Sequence, residues 1–357
     1  MNNISSIQVR RLTPEALRAD AALWTALSTA GRAHVQRDPD WLDNIARHAL
    51  DPDEQALFLT AQTAAHGNAI LPLKLNRRAG RAESLGNFYT SDWEPVLPET
   101  GGAALLEAML QDLAADNGLA EIRLGPLRED SPTRGPLQEA LETTGWTGQH
   151  SYFCFGNFYH VVTEKSGSDY MAKRPSQLRN TVARRTRQFR DSGGTLEMVT
   201  GGPELDGAIA EFTEVYQASW KQPEPYVAFI PGLAKIAADR GWLRLGLARQ
   251  SGRAIAAQLW LIAHGTAYIF KLAYREDAAA QSPGTVLTGF MMETALDNDR
   301  VNAIDYLSGD DNYKRDWMTA RREYHGIAAY NGKSIAGRGR ALLHNVNAGL
   351  KRLRPGS

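Results

Sequence analysis

Apolar residues recur along this chain in two rhythms, every third or fourth position in some stretches and every second position in others, and the rhythms alternate. Residues 14–28 and 39–50 have helical spacing. Residues 56–63 and 69–74 read as paired strands joined by a turn at 66–68. Residues 101–117 form the most periodic helix of this half, with Leu105, Leu106, Met109, Leu110 and Leu113 on one face. A strand at 120–124, a short helix at 136–144 and a strand within 149–162 follow. This βαβ-like order suits a first domain of about 150 to 160 residues.

The second half repeats the plan. A helix over 176–190 meets a stop signal at Gly193 and Gly194. Next come a strand at 195–199, a helix over 205–220 with Ile209, Phe212, Val215 and Tyr216 on one face, and a helix over 229–240. Strands at 243–249, 254–263 and 266–274 are joined by short, hairpin-like turns. A helix over 285–297, a strand at 303–307 and a last helix complete an α/β pattern. Three meandering strands followed by a helix and another strand leave a V-shaped opening when the last strand splays away. A helix N-terminus beside such an opening suits a pyrophosphate. The loop into that helix holds Ser282, Pro283, Gly284 and Thr285. Pro283 suits an early helical position, Gly284 permits close approach, and Ser282 and Thr285 can cap or donate. The same residues also suit an ordinary turn.

Charge changes this picture locally. The 357 residues carry 40 Lys and Arg against 40 Asp and Glu. Yet Lys173, Arg174, Arg179, Arg184, Arg185, Arg187 and Arg190 stand together with no acid between them, as do Lys333, Arg338, Arg340, Lys351, Arg352 and Arg354. Arg179, Arg187 and Arg190 share one flank of their helix, beside a stripe of Leu178, Val182 and Phe189. That arrangement suits phosphate groups or an anionic membrane surface, or a plain solvated face. Leu342, Leu343, Val346, Leu350 and Leu353 make the tail amphipathic, fit for a membrane surface or for docking on the protein. The start of the chain lacks an apolar signal region, and no stretch reaches the about 18 apolar residues of a membrane span, so the expected address is cytoplasmic. One cysteine, Cys154, excludes an intramolecular disulfide, and the eight histidines show no metal spacing, so no metal is expected.

The densest chemistry lies at 305–317. An apolar strand ends at Gly309, and polar groups cluster after it. Asp310 or Asp311 can act as general base toward an amine. Tyr313 can donate a proton to a leaving thiolate, and Lys314 can hold a phosphate or neutralise developing charge. Asp305 and Asp311 are candidate substrate contacts. A helix cap followed by a charged turn is the alternative. A second cluster, Tyr89, Asp92 and Trp93, can wall an acceptor pocket or pack as core.

Residues 175–317 resemble the GNAT-related acyltransferase domain of Fem-type peptidoglycan transferases and of proteins associated with bacterial polysaccharide synthesis. The marks are the basic helix, Ser219-Trp220-Lys221, Ser282-Pro283-Gly284, and Asp305 followed by Gly309, Asp310, Tyr313, Lys314 and Trp317. The first half, with Asp38-Pro39-Asp40-Trp41 and Leu71-Pro72-Leu73, resembles the degenerate N-terminal lobe of such proteins. The resemblance implies two tandem GNAT-like lobes, 1–165 and 166–332, with mixed, largely antiparallel sheets flanked by helices, and a basic tail at 333–357. It implies acyl transfer to an amine by direct attack, with acyl-CoA as donor, its pyrophosphate at Ser282, Pro283, Gly284 and Thr285, and Tyr313 as acid. The acceptor is then an envelope lipid precursor such as a sphingoid base, as in bacterial ceramide synthases, or an envelope amino sugar. A Fem-type aminoacyl-tRNA donor, the one route to a nucleic-acid partner, and a non-catalytic binding role are the alternatives.

Overall fold

The computed structural model describes the backbone of residues 7–63 and 67–352 and the side chains of these through residue 346. The expected turn at 66–68 lies partly outside them, as do the side chains of Leu350, Lys351 and Arg352 and all of Leu353 and Arg354. Contacts divide the chain into two units, Met1–Phe155 with Glu323–Ser357, and Gly156–Arg322. The expected lobes, 1–165 and 166–332, divide the chain elsewhere, because two strands each pass from one unit into the other.

The first unit begins with β1 (Gln8–Leu12), α1 (Pro14–Ala19), α2 (Ala21–Gly31) and α3 (Pro39–His48). The single helix expected over 14–28 is two, because Asp20 ends α1 in extended conformation and then caps α2, accepting from the Leu23 N–H at 3.2 Å. Then follow β2 (Glu54–Thr63), β3 (Gly67–Asn76), β4 (Arg81–Ser84), α4 (Gly102–Ala114), β5 (Glu121–Arg128), α5 (Arg134–Thr143) and β6 (Trp146–Val161). The second unit takes over within β6 and adds α6 (Gly167–Ala172), α7 (Ser176–Asp191), β7 (Thr195–Val199), α8 (Leu205–Gln217), α9 (Phe229–Asp239), β8 (Leu243–Gln250), β9 (Arg253–Ala263), β10 (Thr266–Tyr274), α10 (Pro283–Glu293), β11 (Ala303–Asp305) and α11 (Asn312–Trp317). The chain returns to the first unit within β12 (Ala320–Asn331) and ends in α12 (Ile335–Arg352).

The two units share one plan: strand, helices, three antiparallel strands, helix, parallel strand, helix, strand. The first has strand order β1-β2-β3-β4-β5-β12-β6 and the second β6-β11-β10-β9-β8-β7. Strands β1, β4 and β12 escape the sequence pattern. They are short or charged, as in Gln-Val-Arg-Arg-Leu and Ala-Arg-Arg-Glu, so the period of two is faint.

Each plan places a helix core on its sheet. In the first unit Leu105, Leu106, Met109, Leu110 and Leu113 of α4 pack on Leu59, Leu71, Leu73 and Ile122, all at most 1% exposed. In the second, Leu178 and Phe189 of α7 join Val286, Leu287 and Met291 of α10 against Ala256 and Trp260. Helix α7 stops where Gly193 takes φ 80°, and a Cβ on Gly194 would sit 2.6 Å from the Phe189 ring. Helix α12 docks through Ala341 and through His344, which stacks on His150 at 3.9 Å, and leaves Leu342, Leu343 and Val346 exposed.

The parallel pair at the centre of the plan behaves differently in the two units. In the first, β4 and β5 pair from Arg81↔Glu121 to Glu83↔Arg123. The gap beyond is bridged, with a cavity of about 200 Å³ beside it lined by Ser84, Gly125, Pro126 and Tyr152. Ser84 Oγ accepts from the Gly125 N–H at 2.7 Å, and Trp93 donates its backbone N–H to Pro126 O and its indole N–H to Pro72 O, both at 2.9 Å. Trp93→Ala should therefore cost about 3–5 kcal/mol, read as a lowered urea midpoint; a midpoint shift worth under about 1 kcal/mol would contradict the plug.

Candidate active site

In the second unit the same gap is open. Strands β10 and β11 pair over only three positions, from Thr266↔Ala303 to Tyr268↔Asp305. A bulge at Ile269/Lys271 then turns β10 away, and it runs on to Tyr274 alongside β9. A cavity of about 400 Å³ lies in this part of the unit, lined by Leu272 and Tyr274 of β10, Gly284, Thr285 and Thr288 of α10, Leu178 and Thr181 of α7, and Trp220, Tyr313 and Trp317. Three residues chosen from the sequence, Gly284, Thr285 and Tyr313, thus face one space.

The start of α10 is anchored from below. Ser282 adopts a left-handed φ of 55° and Pro283 takes the first helical position. The Gly284 carbonyl accepts from Gln258 Nε2 at 3.2 Å and from Thr288 Oγ1 at 2.9 Å; Gln258 also donates to Thr288 Oγ1 at 2.8 Å and accepts from the Trp260 indole at 2.9 Å. Gln258 is 1% exposed, a polar break in an apolar strand that sequence reading passed over. A Cβ on Gly284 would stand 3.0 Å from the Tyr274 ring, so the missing side chain lets that ring close against the helix.

At the end of β11 the Asp305 carboxylate, nearly fully buried, accepts from Asn157 Nδ2 and the Leu307 N–H at 2.7 Å each and pairs with Arg322 at 2.5 Å. It shapes the loop and is not presented to a substrate. Lys314 is also turned inward. Its ammonium donates to Ser308 O at 2.7 Å and Gly309 O at 3.3 Å and lies 3.4 Å from Asp311, so it closes the loop rather than waiting for a phosphate. Burial lowers its pKa against the pull of Asp311. Asp311 itself stands exposed at the head of α11. Asp310 is gripped at both oxygens by Arg321, at 2.8–3.2 Å, and those bonds hold its pKa below the usual carboxylate value, which makes it a poor base. Tyr313 remains. It is 45% exposed and its ring meets Tyr306 edge-on at 6.0 Å; desolvation, then Asp311, raise its phenol above an ordinary value that already keeps the proton at neutral pH. Tyr306 is 3% exposed, and its hydroxyl is among the buried groups with no hydrogen-bond partner. An unsatisfied buried hydroxyl costs about 1–3 kcal/mol, and Tyr306 went unnoticed in the sequence because it reads as a strand aromatic.

Residues 176–315 match the sequence model of the acetyltransferase (GNAT) domain. The second unit carries a GNAT acetyltransferase domain. The chain also shares its fold with the C-terminal domain of a putative lysylphosphatidylglycerol synthetase from Agrobacterium fabrum, at 11% identity and TM-score 0.55 over 90% of this chain and 95% of that one. A tandem GNAT protein from the clavulanic acid biosynthesis pathway aligns at 13% identity and TM-score 0.54, over 92% and 99% of the two chains. FemX aligns at 10% and 0.54, over 85% and 97%. These identities establish the fold alone, a mixed α/β architecture of the tandem GNAT kind. No curated protein sequence matches the chain.

The remaining candidates lie elsewhere than the GNAT opening. Tyr89, Asp92 and Trp93 belong to the plug of the first unit, each under 5% exposed. Asp92 pairs with Arg37, stands 4.0 Å from His34, and takes a weak 3.5 Å bond from the Tyr324 hydroxyl. These residues are buried in the first unit, where Trp93 bridges the strands beside the gap. Arg179 is exposed and donates to Ala172 O at 3.2 Å. Arg187 and Arg190 instead line a second cavity, of about 480 Å³, beside α6 and α10, so the expected arginine stripe does not converge on one site.

Sequence reading also passed over a lysine pair beside the opening. In the connection from α8 to α9, Trp220 packs on Tyr274 with ring centroids 4.4 Å apart. The Lys221 ammonium lies 5.5 Å from the Tyr216 ring and 5.8 Å from the Trp220 ring. Lys271 of β10 stands 5.5 Å from the same Tyr216 ring and pairs with Glu224 at 2.6 Å. Burial, and then the charge of Lys271, lower the Lys221 pKa to about 8.

The plug yields a pH prediction. Burial alone would raise the Asp92 pKa, but the charges of His34 and Arg37 outweigh it and hold the group at about 2, below its ordinary 3.8. A depressed carboxylate stabilises the fold above its unfolded pKa, on the order of 2 kcal/mol, and that contribution is lost as pH falls from about 4 toward 2. Asp92→Asn should unfold more easily at pH 6 and show a flatter loss of stability between pH 5 and 2. Denaturant midpoints across that range check this; parallel wild-type and variant curves would contradict it.

Proposed function

We propose that the GNAT domain is an acyl-CoA-dependent N-acyltransferase whose donor lies in the opening between β10 and β11. The observation that carries this reading is the shared cavity: the start of α10, the unpaired length of β10 and Tyr313 all face it. The donor phosphates would meet the first turn of α10 at Ser282, Pro283, Gly284 and Thr285, where backbone N–H groups and the helix dipole favour anions. The acceptor amine attacks the thioester carbonyl carbon; the C–N bond forms and the C–S bond breaks. Tyr313 gives its proton to the departing sulfur and regains one from solvent, while the amine loses its proton to water. Asp305, Asp310, Asp311 and Lys314 serve the loop that presents Tyr313.

The acceptor is an amine of an envelope lipid precursor, such as a sphingoid base, or of an envelope amino sugar. Likeness to proteins named for lysylphosphatidylglycerol synthesis and to FemX supports an envelope setting by fold only. The exposed Leu342, Leu343 and Val346 on basic α12 support contact with the inner face of an anionic membrane. Among the described residues no helix is long and apolar enough to cross a membrane.

Acyl-CoA at about 100 times its Kd should stabilise the protein by about 2.7 kcal/mol, seen as a raised Tm. Tyr313→Phe should keep that shift and lower kcat by about 10²–10⁴-fold. Asp310→Asn should retain kcat within about threefold, because Arg321 already withholds that carboxylate. No Tm shift with any acyl-CoA, together with activity abolished by RNase, would replace this donor with an aminoacyl-tRNA.

A further inference from the structure

The strand β9 separates two sides of the GNAT sheet. Gln258 and Trp260 turn toward α10, where the cavity lies, and the alternate residues Leu259 and Leu261 turn the other way, toward α8. Tyr216 belongs to α8. The lysines on its ring therefore approach the opening from the side away from α10. Each is also the immediate chain neighbour of a residue that lines the cavity: Lys221 follows Trp220, and Lys271 precedes Leu272.

Two ammonium groups about one tyrosine ring repel each other, and partial burial strengthens the repulsion. Lys271 has Glu224 at 2.6 Å. Lys221 lies over two aromatic rings, and the carboxylates that act on it, Glu224 and Asp311, are already paired with Lys271 and Lys314. Cation–π contact returns roughly 0.5–2 kcal/mol, less than an ion pair in the same desolvated place. One positive charge in the cluster is thus left for a ligand to balance, at the mouth of the opening and beside the exposed ring of Trp220.

We propose that Lys221, supported by Lys271, binds an anionic group, phosphate or carboxylate, carried by the amine acceptor. The site deepens the acyltransferase reading and rests on it for the word acceptor. The anion seats on Lys221 on the α8 side, and the amine reaches through the opening toward the thioester held on the α10 side. Neutral amines, a free sphingoid base among them, lack the first contact, so among envelope acceptors the site selects those that carry a phosphate or carboxylate. Arginine in place of Lys221 keeps the charge; methionine keeps the length and removes it.

Calorimetric titration of the full chain with O-phosphoethanolamine, β-alanine and ethanolamine tests this. Wild type should bind at least one of the two anionic amines at least fivefold more tightly than ethanolamine, and which one it prefers separates phosphate from carboxylate. Lys221→Met should abolish that preference, and Lys221→Arg should keep it within about threefold. The acyl-CoA Tm shift should be the same in all three proteins, which shows that the variants fold with the donor side intact. Equal binding of all three amines by wild type, or a preference that survives in Lys221→Met, overturns the lysine site. Loss of the acyl-CoA shift in wild type would instead sink the donor assignment, and the amine titrations would still report on Lys221.

Discussion

The Asp305 carboxylate is buried where β11 ends, and it binds the Asn157 amide, the Arg322 guanidinium and the Leu307 N–H at once. Breaking one partner of such a pair costs about 3–5 kcal/mol, because the other charge stays buried and uncompensated. Chain leaving β11 is therefore committed to a sharp turn, with Leu307 at a φ of 55°. It cannot continue alongside β10. The opening depends on that refusal, and α11 with Tyr313 stands where the turn delivers it. Lys314 closes the same turn from inside through Ser308 and Gly309.

The two units show that a shared plan does not make a shared site. Both place a helix and a parallel strand after three antiparallel strands. In the first unit the segment after β4 folds back and inserts Trp93, with Asp92 and Arg37 paired beneath it. In the second, the bulge at Ile269/Lys271 turns β10 outward and the described residues leave a cavity there. Large aromatics in the first case and a short β11 in the second decide the outcome. The acetyltransferase (GNAT) match likewise falls in the second unit only.

Charge around the opening is arranged by burial more than by number. Asp310 has a strong partner and is withheld from proton transfer. Tyr313 and Tyr306, uncharged at neutral pH in any case, are shifted further from ionising because desolvation disfavours the phenolate. Lys221 is less strongly protonated than an exposed lysine for the same reason. Neutral hydroxyls on one side and an under-compensated cation on the other are consistent with the proposed reaction, in which a thiolate leaves and a charged acceptor is held.

The alternating rhythms of the sequence determined the α/β class, the repeated plan, and the helices α4, α7 and α10, because those faces are long and periodic enough to have one burial solution. The opening was legible too, since three meandering strands before a helix and a strand permit few other topologies; Gly284, Thr285 and Tyr313, singled out with it, line the cavity there, and their roles remain a proposal. Asp20, a common capping residue, hid the break between α1 and α2. Only tertiary structure decided what the polar residues do. Asp305, Asp310 and Lys314 look like chemistry in sequence, yet their partners Arg322, Arg321 and the Ser308 carbonyl take them for architecture. Asp92 and Trp93 were drawn into the first unit's plug. Lys221 and Lys271 lie 50 positions apart and meet only on the ring of Tyr216. Periodicity reports which face of an element is buried; it carries no record of which distant side chain waits there.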